Sequence, residues 1–420
     1  MDLLSRNNIK YTSLMVFSTI SAIIKILLIA KILGVDEFGI YSMILSIYIF
    51  VMFLGNMGLN EGLVKYGSFS KNDGNSEALN KYTSICVYLG GMGIILILII
   101  LSPFVYFFDF MSEFESFFLI LMFLAFSSYQ FNIASTYLRV KHQFISYAKL
   151  MFFKNFSTIL VALTLIFFYD IDAKSVIIIE ALICIFLALI VQNRHLFLNS
   201  FLETLSEKER IYKSFQSGFP VMLAIIFRNI SLNMDKWIIG LTLGVISVGV
   251  YSFSMIVFQM LMILFNYLST IIGTKWLSEY KRTQSINLLY IELNKVARAI
   301  LLFSFIPMLL LFFLAPYLVE LYFSEYMDSL PLLLLILIGS IAITLSLLIE
   351  VLFIATSNEK FIFNISILSF TLSIIFLFIA YVNSLGLIYF AFIFMLTRVI
   401  VLIHSVYMLK QIITPKENNI

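Results

Sequence analysis

The chain has 420 residues, 61% of them hydrophobic and 12% charged, with a mean hydropathy of +1.03 and a formal net charge of +3. So little charge cannot solvate the surface of a water-soluble protein of this size, and the sequence is that of an integral membrane protein. A bilayer-spanning helix needs roughly 20 apolar residues, so the length accommodates about twelve spans with short loops; a soluble catalytic domain, a nucleotide-binding domain and a nucleic-acid reader are excluded.

The apolar stretches run over Tyr11–Leu33, Gly39–Asn60, Tyr82–Ser102, Ser116–Thr136, Met151–Tyr169 and Ser175–Gln192. After a polar interval they resume at Gly218–Leu243, Val248–Gly273, Val296–Leu318, Leu330–Ile354, Phe361–Val382 and Leu387–Leu409. The first stretch follows Arg6 and Lys10 but is too long for a signal peptide and contains Lys25, so it is an uncleaved first helix. The predicted fold is an all-α integral membrane protein of about 12 transmembrane helices in two pseudo-symmetric six-helix bundles. Residues 1–192 form the N-terminal lobe, 193–217 a cytoplasmic linker, 218–409 the C-terminal lobe and 410–420 a cytoplasmic tail. The mixed run Glu203, Glu207, Lys208, Glu209, Arg210 reads most simply as a solvated amphipathic helix at the membrane surface, with a docking site for a partner as the alternative.

Loop cations set the orientation. One set of ends and loops, from Arg6 and Lys10 through Lys141, Lys208 and Arg282 to Lys410 and Lys416, holds most of the Lys and Arg residues. The opposite set has Lys31, Lys174 and Lys236 at its edges and is otherwise acidic, with Asp36, Glu37, Asp109, Glu320 and Asp328 among its members. Both termini therefore face the cytoplasm, and a missed helix would invert the sorting downstream of it.

The halves also match each other. Gly34-Val35-Asp36-Glu37-Phe38-Gly39-Ile40-Tyr41-Ser42 aligns with Gly244-Val245-Ile246-Ser247-Val248-Gly249-Val250-Tyr251-Ser252, with identity at Gly, Val, Gly, Tyr and Ser. Each segment is the external turn after the first helix of its half, where a tight connection between antiparallel helices favours glycine at positive φ. Shared turn chemistry explains the glycines, but not the Tyr and Ser kept inside the following helix. An even number of spans per half relates the halves by an axis along the membrane normal, a transporter architecture.

An ionised side chain at mid-membrane costs about 2.5 to 3.5 kcal/mol on insertion scales, which singles out Lys25, Arg228 and Arg398 near span centres. Ser18, Ser21 and Lys25 share a helix face; so do Arg228, Ser231 and Asp235. Ser128, Asn132, Ser135 and Arg139 add a polar stripe on the fourth helix, and Ser252, Gln259, Asn266 and Thr270 another on the eighth. A cavity lined by Ser21, Asn132, Ser231, Gln259 and Asn266 with Lys25, Arg228 and Arg398 at its centre would be positive and would suit an anion, phosphate above all. The alternative is that each cation snorkels or pairs privately with a carbonyl or an acid. Glu180 and Asp235 lie deep, without a basic partner in helical register, and are the candidates for proton or Na⁺ coupling; a structural ion pair is the competing assignment. Lys154, Glu61 and Glu350 sit near cytoplasmic span ends and are expected to snorkel. There is no P-loop, HExxH or CxxC, and Cys86 and Cys184 fall in apolar runs, so no enzyme, cofactor, metal site or disulfide is expected.

The stretch Ala30-Lys31-Ile32-Leu33-Gly34-Val35-Asp36-Glu37-Phe38-Gly39-Ile40-Tyr41 resembles the turn after the first helix of bacterial polysaccharide transporters, the O-antigen and repeat-unit flippases of the multidrug/oligosaccharidyl-lipid/polysaccharide superfamily. Gly58-Leu59 with Lys65-Tyr66-Gly67 is similar to the end of their second helix. Gly218-Phe219-Pro220, Asp235-Lys236-Trp237-Ile238-Ile239-Gly240 and Gly249-Val250-Tyr251-Ser252 resemble their second-half motifs. Lys31 stands where that family usually has arginine. The resemblance implies two six-helix bundles that work by alternating access in the bacterial cytoplasmic membrane. It implies as substrate an undecaprenyl-pyrophosphate-linked oligosaccharide, flipped for O-antigen, capsule or exopolysaccharide assembly. Membrane lipid, H⁺ or Na⁺ as coupling ion, and polysaccharide polymerase and chain-length proteins are the implied partners. A drug/cation antiporter of the same superfamily would prefer an acidic cavity, and a membrane-embedded polymerase would need a long external loop.

Overall fold

The computed structural model describes residues 6–70, 76–107, 115–166, 171–194, 208–356, 358 and 360–413. Among these, every regular element is helical, as an apolar medium demands of backbone groups that must be satisfied within their own segment. In chain order they are α1 (Arg6–Asn56), α2 (Leu59–Ser70), α3 (Ser76–Ile85), a π-helical turn (Cys86–Gly90), α4 (Gly91–Phe107), α5 (Glu115–Val140), α6 (Phe144–Ile166) and α7 (Ala173–Arg194). The second half continues with α8 (Lys208–Leu243), α9 (Val245–Ser254), α10 (Ile256–Thr283), α11 (Ile286–Tyr322), a 3₁₀ turn (Ser324–Ser329), α12 (Leu330–Ala355), α13 (Lys360–Val382) and α14 (Leu387–Ile413). Nine helices among the described residues are long and apolar enough to cross a membrane. The first of these, Ser13–Asn56, has 44 residues, about twice what one crossing needs.

The expected turn glycines are where the chain reverses its course. Gly34, inside α1, has φ 70°, and Gly244, between α8 and α9, has φ 84°, a region closed to most side chains. The glycine-rich end of the second span breaks. Met57 and Gly58 both take positive φ, and Asn56 holds the break by accepting the Asn60 N–H at 2.9 Å and donating to Glu61 at 2.6 Å.

The helices sort into two compact units. Unit 1 comprises residues 1–33 and 40–229; unit 2 comprises residues 34–39 and 230–420. The division in the second half falls inside α8, whereas the sequence places it at 193–217. Residues 195–207 of that linker lie outside the described residues, and Lys208 onward belongs to the unbroken helix α8.

In unit 1, α5 packs along α7, α4 and α6. The π turn frees carbonyls that buried side chains recover: the Tyr129 hydroxyl donates to the Cys86 carbonyl at 2.7 Å and the Gln130 amide to that of Val87 at 3.2 Å. Cys86 and Cys184 are buried free thiols, as expected. In unit 2, α12 packs along α14 and α10, and α13 along α14. Unit 2 also contains a reciprocal contact between the repeated turns. A Cβ on Gly39 would lie 2.3 Å from the Val245 carbonyl oxygen, and one on Gly249 2.1 Å from that of Val35. Residues 35 and 39 are the repeat equivalents of 245 and 249, so the two turns cross with local two-fold symmetry, and only glycine permits so close an approach.

Candidate functional site

Each unit holds a buried acid, a cation and a tyrosine. In unit 1 the acid is Glu180 on α7. Its Oε1 accepts from Lys25 Nζ at 2.6 Å and from the Tyr41 hydroxyl at 3.0 Å. The side chains are 12% (Lys25) and 7% (Glu180) exposed, so this is a contact ion pair largely removed from solvent. Glu180 has no basic partner in helical register, but it has one 155 positions away in the chain, the structural ion pair that stood as the competing assignment. Lys154 was expected to snorkel, but its ammonium lies over the Phe131 ring at 4.8 Å and acts electrostatically on Glu180 and Cys184. It turns inward.

In unit 2 the acid is Asp235 on α8, 5% exposed. Oδ2 accepts from the Tyr251 hydroxyl at 2.5 Å and Oδ1 from the Lys236 backbone N–H at 2.9 Å. The cation is Arg398 on α14, 2% exposed. One terminal nitrogen donates to Ser231 Oγ at 2.9 Å and to Ser369 Oγ at 2.5 Å; the other donates to the Ser231 carbonyl. With Ser373 joined to Ser231 at 2.7 Å, two serines, Ser231 of α8 and Ser369 of α13, hold the guanidinium. Its plane faces the Phe394 ring at 5.3 Å, and its Nε has no partner. A small cavity lined by Ser231, Asp235, Ser373, Thr397 and Arg398, with Phe390 and Phe394 among its apolar walls, offers room for about one water. Lys236, placed by the sequence at an external loop edge, is 7% exposed and buried beside Asp235.

The repeat explains which residues occupy these places. Tyr41 and Tyr251 are equivalent, and each donates its phenol to the buried carboxylate of its own unit. Position 25 corresponds to 235, and 21 to 231, so the base of unit 1 and the acid of unit 2 occupy the same site in the repeat. The opposite charge then comes from the last helix of each half, Glu180 in one and Arg398 in the other. The tyrosine retained by the repeat is thus a carboxylate ligand, which turn chemistry alone did not predict.

The remaining candidates are more scattered. Ser21 bonds back to the Phe17 carbonyl at 2.8 Å. Arg228 is half-buried on α8, Asn132 on α5 and Gln259 on α10. The side chain of Asn266 lies outside the described residues. No group of three or more His, Cys, Asp or Glu is placed to hold a metal among the described residues.

The family described as "Polysaccharide biosynthesis protein" matches residues 28–330, well over half of the chain. The chain belongs to this family. No curated protein matches it. Among solved structures, the inward-facing conformation of a multidrug resistance MATE family transporter of the MOP superfamily aligns with a TM-score of 0.76 at 12% identity, over 96% of this chain and 98% of that one. The outward-facing conformation of such a transporter aligns with a TM-score of 0.67 at 12% identity, over 97% of each chain. The Vibrio cholerae MATE transporter VcmN in its bent form aligns with a TM-score of 0.62 at 14% identity, over 96% of this chain and 98% of that one. This polysaccharide biosynthesis protein is therefore a multi-pass membrane protein with the fold of the MOP transporters, and the resemblance in its turn motifs holds at the level of family and fold.

Proposed function

We propose that this protein is a flippase of the bacterial cytoplasmic membrane. It carries a polyprenyl-pyrophosphate-linked oligosaccharide repeat unit to the external leaflet by alternating access, for O-antigen, capsule or exopolysaccharide assembly. The observation that carries the reading is the charge balance of the buried clusters. Unit 1 sets Lys25 and Lys154 against Glu180, and unit 2 sets Arg398 and Lys236 against Asp235, two formal cations to one acid in each. Buried charge of one sign is costly unless an anion answers it, and a pyrophosphate head group is such an anion. Family membership supports a glycan cargo and the fold supports transport.

Arg228 and Lys25 are assigned to the pyrophosphate; Arg398, buried and held by Ser231 and Ser369 in unit 2, is not. Lys25 reaches it by exchanging its carboxylate partner Glu180 for phosphate oxygen, while Arg228 offers a two-pronged donor. The hydrated glycan travels with the head group and the polyprenyl tail stays in lipid. In a strain lacking the gene, surface polysaccharide should disappear while lipid-linked repeat units accumulate, and the wild-type gene should restore export. Arg228→Ala should fail to do so at normal protein abundance, whereas Arg228→Lys should restore part of it.

A second reading, a drug/cation antiporter, is favoured by the multidrug transporters among the structural matches. It requires that the deletion alter drug susceptibility and leave the surface glycan intact.

A further inference from the structure

The basic end of α11 carries two cations that the proposed transport does not use. α11 has 37 residues, roughly 55 Å at 1.5 Å per residue, well beyond the 30 Å or so of a hydrocarbon core. One exposed stripe runs along it. Leu288, Ile291, Lys295, Arg298 and Leu302 recur at three- and four-residue intervals, and Phe313 and Tyr317 resume the same face three turns on. We infer that Lys295 and Arg298 form a binding site for the phosphate of an anionic phospholipid, in the leaflet at the basic end of α11, cytoplasmic in the orientation the loop cations set. The site does not rest on the flippase reading.

The level of the two cations matches that of lipid phosphates. Tyrosines gather where a span meets the headgroups, and Tyr317 and Tyr322 are both exposed at the other end of α11. About 20 residues of hydrocarbon core, counted back from Tyr322, end near Leu302, which is 71% exposed. Arg298 then stands roughly 6 Å and Lys295 roughly 10 Å beyond the edge of the core. The headgroup layer is about 5–8 Å thick, so Arg298 lies within it and the flexible stem of Lys295 reaches back into it.

Their charge is also left unanswered within the protein. Glu292 precedes Lys295 by three residues, a spacing at which a helix pairs acid with base. Both of its oxygens are instead taken from α10, Oε1 by Lys275 Nζ at 2.7 Å and Oε2 by Trp276 Nε1 at 2.9 Å. Lys295 acts on Glu292 through space. Among the described residues neither Lys295 nor Arg298 has a carboxylate in contact. At i and i+3 the two cations are neighbours that repel each other, and one anion between them reverses that repulsion. A phosphate diester has two unesterified oxygens, one for the ammonium and one for the guanidinium, while its acyl chains lie against Leu302 on the same stripe. A zwitterionic lipid brings the same phosphate with an ammonium of its own, which the cation pair repels; selectivity for net negative headgroups follows.

The test places a fluorescent reporter beside the site. The full chain carrying Leu302→Trp is reconstituted in mixtures of phosphatidylcholine and phosphatidylglycerol, and its emission is quenched with the dibrominated form of either lipid. The signal of protein that keeps Leu302 is subtracted, which removes Trp237 and Trp276. Phosphatidylglycerol should be preferred at this reporter, Lys295→Gln and Arg298→Gln should each cut the preference about fivefold, and the double variant should abolish it. The exchange Lys295→Arg with Arg298→Lys keeps both charges and should keep the preference. Phe313→Trp, on the same stripe toward the opposite leaflet, should show none. The site is overturned by equal quenching at Leu302→Trp, by a preference that survives the double glutamine variant, is lost in the charge-keeping exchange or is shared by Phe313→Trp, or by one that inorganic phosphate removes at constant ionic strength. Selectivity as stated in a protein that exports no glycan ends the flippase reading and leaves the lipid site standing.

Discussion

The crossing of the two repeated turns in unit 2 makes a quantitative prediction. In Gly39→Ala the new methyl would stand 2.3 Å from the Val245 oxygen, and in Gly249→Ala 2.1 Å from the Val35 oxygen. Carbon–oxygen contacts between close helices settle near 3.3 Å or beyond, so the helices must separate by about 1 Å to admit either methyl. Both obstructing atoms are backbone, and no rotamer change relieves the clash. Overpacking of this kind costs about 1–3 kcal/mol, and the local two-fold symmetry makes the two single costs nearly equal. One separation relieves both clashes, so the double variant should cost clearly less than the sum of the singles. Thermal unfolding of the purified protein, followed by the loss of its monodisperse size-exclusion peak, reads all three. Neutral single variants, or a double variant whose loss in Tm is the full sum, would refute the reciprocal contact.

Lys25→Ala strips a buried carboxylate of its cation and should destabilise by about 3–5 kcal/mol; the swap Lys25→Glu with Glu180→Lys should recover part of that in the same assay, and no recovery would remove the contact pair from the account. Burial raises the Glu292 carboxyl, but hydrogen bonds from Lys275 at 2.7 Å and Trp276 at 2.9 Å outweigh it and hold the group below its usual value. Its contribution is therefore present above about pH 4.5, the ordinary glutamate value, and fades as pH falls through the lower folded value. Trp276 emission should change on that acidification in the wild type and not in Glu292→Gln. Reporter fusions at Asn72 and Glu113 should report opposite sides of the membrane, as twelve spans with cytoplasmic termini require; the same side for both would end that topology.

What the sequence made legible was local. The glycines at 34 and 244 announced positive φ, and Asp235, Glu180 and the three deep cations were visible as costly residues inside apolar runs. Partnerships were not legible, because they join distant helices. Nothing in the first helix indicates that Lys25 will meet α7, nor in the last that Arg398 will be held by serines of α8 and α13. The π turn at Cys86–Gly90 has no sequence signal, since it depends on Tyr129 and Gln130 reaching across from α5. Lys236 was misplaced for a related reason: next to an acid near a span end it resembles a loop charge, and only the packing around α8 shows it buried. The repeat carried more than turn chemistry, for Tyr41 and Tyr251 were visible as a match but not as ligands of two carboxylates.

The measurement closest to the central claim is flipping itself. Proteoliposomes containing the purified protein and a lipid-linked oligosaccharide, its glycan initially on the lumenal leaflet, are challenged with a membrane-impermeant glycosidase outside. With wild-type protein the protected glycan should become cleavable, and Arg228→Ala should slow this sharply at equal incorporation. A glycan that stays as protected as in protein-free liposomes, under an imposed proton gradient of either direction, would contradict the account.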